Sequence, residues 1–257
     1  GELAVDMNSL LLFDQDTHQH SMNVAMTATA CGIGMGMSNS ELARLASAAM
    51  LHDIGKKAIP EKILNKPGRL TPEERKIIER HAQYGYDMLY NRMSVSPQVR
   101  SAVLHHHENE DGSGYPHGQE GGSISPYAKI IHVADVYDAL AKKRVYKDKM
   151  AQSECIEYLM GGCGTLFDKD AVDSFLKYIV IYPVGCEVAL SDGRRGRVIA
   201  NKAGHVDRPV VMCGDSILDL AGDRGLLNIT VIGEADEKSG ESGKNGENRE
   251  NGGSGRG

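Results

Sequence analysis

The chain has 257 residues, 40% of them hydrophobic and 25% charged, enough to bury a core in one domain or in a large and a small one. Its net charge of -6 gives no basic footprint, which argues against nucleic acid or an anionic membrane surface as the main partner. An anionic small-molecule substrate would therefore need local cations or metal ions.

The five cysteines, Cys31, Cys155, Cys163, Cys186 and Cys213, form no Cys-x-x-Cys pair. Scattered reduced thiols of a cytoplasmic protein are expected rather than a zinc ribbon or a redox motif. No apolar run nears the roughly 20 residues of a membrane span, and no signal-peptide pattern opens the chain. Gly1 stands where a methionine would begin a full chain, so a fragment with a further domain upstream is expected.

From about residue 14 to 181 the pattern is helical. "DQDTHQHSMNVAMTATACGIG" carries small and apolar residues at helical spacing and runs into glycines. "SNSELARLASAAMLHDIG" opens on cap-type residues and is predicted to stop at Gly55. "LTPEERKIIERHAQYGYDMLY" has Thr71 at the N-cap, Pro72 at the first position and Glu74 at the third, a capping box. "SPQVRSAVLHHHE" and "SPYAKIIHVADVYDALAKK" each start with Ser-Pro, and "FDKDAVDSFLKYIVIY" makes a last helix.

At Pro183 the period changes. "GCEVALSDGRRGRVIAN" alternates around Asp192-Gly193, a hairpin signal, and "RPVVMCG" and "LLNITVI" supply further short strands. From Gly233 the chain is rich in Gly, Glu, Asn and Ser and cannot offset its ordering entropy. The expected organisation is thus mainly α: a helical bundle over 1–182, a small β-rich appendage over 183–232 and a disordered tail over 233–257.

Five of the helices carry candidate metal ligands, none of them a thiolate. Asp16 and His20 lie one turn apart on one face. His52 and Asp53 are adjacent, His81 sits on the capped helix, His106 and His107 end another, and Asp135 lies in "HVADVYDAL". A mixed imidazole and carboxylate set suits iron, manganese or zinc, and the lack of sulfur leans it toward the first two. So many ligands exceed the needs of one octahedral ion, which argues for at least two. His18, His105, His117, His132 and His205 fit no such order and are expected to be surface or satisfied helix residues.

With these residues in view, the chain resembles an HD-GYP domain, a branch of the HD superfamily of metal phosphohydrolases. The matching text is "HQHSMNVA", "LHDIGKKAIPEKILNKPGRLTPEE", "HAQYGYDML", "HHHENEDGSGYPHG" and "ISPYAKIIHVADVYDALAKKRVY". The resemblance implies an HD-type helical bundle, two or three divalent metals and hydrolysis of cyclic di-GMP to pGpG or GMP. It implies His20, His52, Asp53, His81, His106, His107 and Asp135 as metal ligands, with His105 incidental. Asp16 stands where trimetallic members carry a glutamate, which leans the expected count toward three. The family's Arg-Pro-Tyr reads Arg144-Val145-Tyr146 here, a loss of loop rigidity rather than of chemistry.

The chemistry expected of such a site is a hydroxide bridged between two metals attacking the phosphodiester, with Asp53 as the bridging carboxylate. Lys56 is expected to neutralise developing charge and Arg144 to clamp a phosphate. Gly112 and Gly114 permit close approach, so Gly114 and Tyr115 are expected to wall the substrate pocket or to dock a signalling protein. Another cyclic dinucleotide such as cyclic GMP-AMP is the rival substrate, and a silent signalling or interaction module the rival class. A homodimer is the form of self-association entertained. "DGRRGR" is expected to be a basic hairpin turn and not a nucleotide site.

Overall fold

The computed structural model describes residues 15–141, 152–178, 180–202 and 204–235. They fall into two units, one drawn from Gly1–Ile181 with Asn201–Asp207, the other from Tyr182–Ala200 with Arg208–Gly257.

The first unit is helical: α1 (Gln15–Gly34), α2 (Asn39–Leu51), the short α3 (Glu61–Leu64), α4 (Pro72–Glu79), α5 (His81–Tyr90), α6 (Pro97–His105), α7 (Pro126–Ala141), α8 (Gln152–Gly161) and α9 (Lys169–Tyr178). Their starts follow from capping chemistry. Ser38 accepts from the Glu41 N–H while the Glu41 carboxylate accepts from the Ser38 N–H at 2.8 Å, and Thr71 with Glu74 repeats the arrangement before α4. Ser96 caps α6, with Pro97 at its first position. α8 was not anticipated from the sequence.

α1 packs on α2, α7 and α9, and α7 also meets α6 and α8. Ala28, Ala48, Ala49, Ala102, Ala128 and Ala134 are fully buried, so the helices cross on small side chains and their backbones come close. Leu45, Ile130, Ile131 and Phe175 fill the remaining space, each Leu or Ile contributing about 1.5–3 kcal/mol by burial. The Ser174 hydroxyl donates to the Cys31 carbonyl at 2.7 Å and ties α9 to α1.

Two departures from the predicted elements position the site. α2 stops at Leu51, and Gly55 lies not at a helix stop but inside a 3-10 turn over Ile54–Ala58. A Cβ on Gly55 would stand 2.0 Å from the His81 carbonyl and 2.4 Å from the Gly85 nitrogen, so only glycine lets this turn rest on α5. The helix predicted across residues 70–90 breaks at Arg80, where ψ is -13°. α4 buries no side chain, whereas α5 turns inward and buries His81, Ala82, Gly85 and Leu89.

The second unit is an antiparallel sheet in the order β4-β3-β2-β1-β5, formed by β1 (Glu187–Leu190), β2 (Arg195–Ala200), β3 (Val210–Cys213), β4 (Ser216–Asp219) and β5 (Val231–Glu234). Val188, Leu190, Val198, Val211 and Leu218 are buried, in keeping with one apolar face. In the β1–β2 hairpin Arg194 turns back on Asp192 at 2.6 Å, so the basic turn is partly neutralised within itself. β5 continues through Gly233 and Glu234, and the predicted tail beyond Ala235 lies outside the described residues. Among the described residues no helix is long and apolar enough to cross a membrane.

Candidate metal centre

Three imidazoles are held in one way. The Nδ1–H of His52 donates to the Ala49 carbonyl at 2.7 Å, that of His81 to Ile78 at 2.7 Å and that of His106 to Val103 at 2.8 Å. Each acceptor lies three residues earlier at the end of the preceding turn, so the local backbone fixes the tautomer. Nε2 is left as a bare lone pair on each ring, the form that ligates metal. His20 is oriented through a side chain instead: its Nδ1 lies 2.6 Å from Asp138 Oδ2, and Asn23 donates to the other oxygen at 2.7 Å.

The free nitrogens converge on carboxylates. His20 Nε2 lies 3.0 Å from Asp135 Oδ1 and 3.7 Å from Asp53 Oδ2, and His52 Nε2 lies 3.2 Å from Asp53 Oδ2. His81 Nε2 lies 3.4 Å from Asp53 Oδ1 and 3.3 Å from His106 Nε2. His107 Nδ1 lies 3.9 Å from Asp135 Oδ2. Two donor groups result, Asp53 with His81, His106 and His107, and His20 with His52 and Asp135, the donor atoms in each lying within 4.8 Å of one another. The two oxygens of Asp53 face one group each.

For His52, His81 and His106, whose Nδ1–H groups are spent on backbone carbonyls, these contacts set acceptor against acceptor. A nitrogen lone pair facing a carboxylate, or a second nitrogen lone pair, is repulsive unless a cation lies between them. His52 Nε2 and Asp53 Oδ1 are moreover buried with no hydrogen-bond partner, a condition that costs about 1–3 kcal/mol per atom. The donor set therefore fits divalent metal ions, and its oxygen and imidazole composition is that of iron, manganese or zinc sites.

Charge follows the same logic. Burial, reinforced by neighbouring imidazoles, holds His106 well below the ordinary histidine range, and burial holds His107 and His81 down too. Burial alone would favour the acid form of Asp53, but His52, Lys56 and His81 keep it well below the usual carboxylate range. Burial alone would also lower His20, but Asp135 and Asp138 outweigh it and raise the ring to about 9. The negative field that favours a proton there favours a metal cation equally.

Lys56 stands at the rim with Nζ 2.5 Å from Asp53 Oδ2. The Gly-Tyr-Pro loop folds back over the far side. A Cβ on Gly114 would lie 2.4 Å from the His107 carbonyl and from the Asn109 nitrogen, which is why glycine is needed there. The Tyr115 N–H donates to the His107 carbonyl at 3.1 Å, and its ring lies 4.7 Å from the His107 ring. Burial pushes the Tyr115 phenol up, so it stays a neutral donor.

The structure thus brings together His20, His52, Asp53, His81, His106, His107 and Asp135, with Lys56 and Tyr115 beside them. The side chain of Asp16 and all of Arg144 lie outside the described residues. Sequence reasoning missed Asp138, although its spacing three residues after Asp135 on α7 puts both on one face. It also gave no role to Glu108, which is buried and accepts from the N–H groups of His117 at 2.8 Å and Gln119 at 3.0 Å, closing the loop. His132 is buried, with its ring centroid 5.0 Å from that of Phe167. His105 and His117, which have no part in the predicted ligand order, lie with their ring centroids 5.4 Å apart.

A family model described as HD domain matches residues 6–171. A cyclic di-GMP phosphodiesterase of Pseudomonas aeruginosa is 40% identical over 186 residues, which cover 72% of this chain and 45% of that protein. The cyclic di-GMP phosphodiesterase response regulator of Xanthomonas campestris is 43% identical over 54% of this chain and 37% of its own length, and a 3'3'-cGAMP-specific phosphodiesterase of Vibrio cholerae is 36% identical over 66% and 33%. The chain therefore spans less than half the length of these curated relatives. A solved HD-GYP-type structure from Bdellovibrio bacteriovorus shares the fold with a TM-score of 0.53 at 20% identity, over 62% of this chain and 51% of that one. The chain belongs to the HD domain family.

Proposed function

We propose that the protein is a metal-dependent phosphodiesterase that hydrolyses cyclic di-GMP to pGpG or GMP. The observation that carries the reading is Asp53, whose two oxygens face two separate groups of imidazole and carboxylate donors. His81, His106 and His107 would hold one ion and His20, His52 and Asp135 another, with Asp53 offering an oxygen to each. Iron or manganese is the metal proposed, and Asp16 is the residue that would add a third.

Bound metals would supply charge neutralisation at the phosphate and activation of water. The chain's own residues supply the rest. Backbone carbonyls hold three imidazoles in the ligating tautomer, and Asp138 orients the fourth. Lys56 adds a cation where negative charge develops, and Tyr115 offers a neutral phenolic donor from the loop. Arg144 is proposed to clamp a substrate phosphate. The relatives named cyclic di-GMP phosphodiesterases, at 40% and 43% identity, support the substrate. A 3'3'-cGAMP-specific relative at 36% makes cyclic GMP-AMP the competing one.

Protein loaded anaerobically with Fe(II), or with Mn(II), is incubated with each dinucleotide and the products separated by chromatography. Faster loss of cyclic di-GMP, with pGpG or GMP appearing, supports the proposal. Faster loss of cyclic GMP-AMP would move the substrate, and no turnover of either would leave a binding module.

A further inference from the structure

We propose that His105, Glu108, His117 and Gln119 form a separate site for a borderline transition-metal cation, Zn2+ in the first instance, on the Gly-Tyr-Pro loop. His105 is the last residue of α6, and the loop leaves the helix there. Glu108 brings the loop back by accepting the N–H groups of His117 and Gln119. The return places His117 Nδ1 3.3 Å from His105 Nε2, and donor atoms of His105, Glu108 and His117 all lie within 4.8 Å of one another. Two imidazole nitrogens on one tetrahedral zinc, each at about 2.0–2.1 Å, are separated by about 3.3–3.4 Å.

A simple hydrogen bond between the rings accounts for the pair but not for its neighbour. His105 Nδ1 faces the Ser101 hydroxyl at 3.4 Å, while Nε2 faces both His117 Nδ1 and Gln119 Nε2, each at 3.3 Å. If Nδ1 carries the proton, Nε2 has a single lone pair for two donors. Gln119 Oε1 is at the same time buried with no hydrogen-bond partner. A cation removes both faults. The two imidazoles present lone pairs to it, and a half-turn of the Gln119 amide exchanges nitrogen for oxygen and aims Oε1 at the same point. Each Glu108 oxygen has used one lone pair on a backbone N–H and retains another for the ion.

This cluster is distinct from the central one, which uses neither His105 nor His117. His117 is exposed, so the ion has access from solvent. The loop between the two histidines carries Tyr115 against His107, so an ion here would staple shut the segment that walls the centre.

The proposal is independent of whether the centre turns over a cyclic dinucleotide, because its test counts metal. The full chain is equilibrated with zinc chloride, freed of excess by gel filtration and analysed for zinc beside His117→Ala and His205→Ala. His117→Ala keeps the backbone N–H that Glu108 accepts, so circular dichroism should match wild type. The expected result is one zinc fewer per chain in His117→Ala and no change in His205→Ala. Equal zinc in wild type and His117→Ala would overturn the site, as would an equal loss in both variants. Anomalous diffraction at the zinc edge gives a second reading: a peak between His105 and His117 supports the site, and peaks at the central cluster alone overturn it.

Discussion

Asp138 Oδ2 lies 2.6 Å from His20 Nδ1, and this contact, rather than any backbone carbonyl, turns the His20 ring toward Asp135 and Asp53. His52, His81 and His106 are steered by the main chain and would keep their orientation through most side-chain changes. His20 depends on one carboxylate.

Asp138→Ala should therefore weaken metal binding at the group containing His20 by about 10–100-fold, the usual effect of losing a ligand's supporting carboxylate. Helical circular dichroism should be unchanged. Metal titration of both proteins checks this, and equal affinities would show that His20 is held by other means.

How much of this was legible in the sequence depends on which interaction fixes each residue. His52 and Asp53, His81, and His106 with His107 stand in an order that chance histidines do not produce, and their grouping follows from helices whose caps are written in Ser38, Thr71 and Ser96. Asp138 was not found because its spacing from Asp135 marks only a shared helix face: its role toward His20 exists only where α7 meets α1. Gly55 was misread for a related reason. Its proximity to His81 is a tertiary contact, and in the sequence a glycine after a helical run looks like a stop.

Gly55→Ala should destabilise the fold by about 1–3 kcal/mol, the range for forcing a carbon into a packed core. The added methyl would meet the His81 carbonyl, so the turn carrying Asp53 and Lys56 must shift and metal affinity should fall as well. Denaturant unfolding and metal titration of this variant test both parts. An unchanged midpoint would mean that the turn is free to move aside.

Protein stripped of metal by chelation should lose stability with rising pH. His20 titrates at about 9 in the fold against 6.5 for the free side chain, so its contribution is complete below about pH 6.5 and is lost as pH rises through about 9. The melting temperature should fall across that window, and Asp138→Asn should flatten the decline. A profile equally steep in both proteins would remove Asp138 as the cause.

The most direct test of the central claim is metal content and turnover of Asp53→Ala beside wild type. Because the two Asp53 oxygens face both donor groups, the account predicts at least two metals per chain in wild type and fewer than two in the variant. Cyclic di-GMP turnover should fall by about 100-fold or more, with the helical circular dichroism retained. A variant that keeps its full complement of metal and its activity would contradict the account.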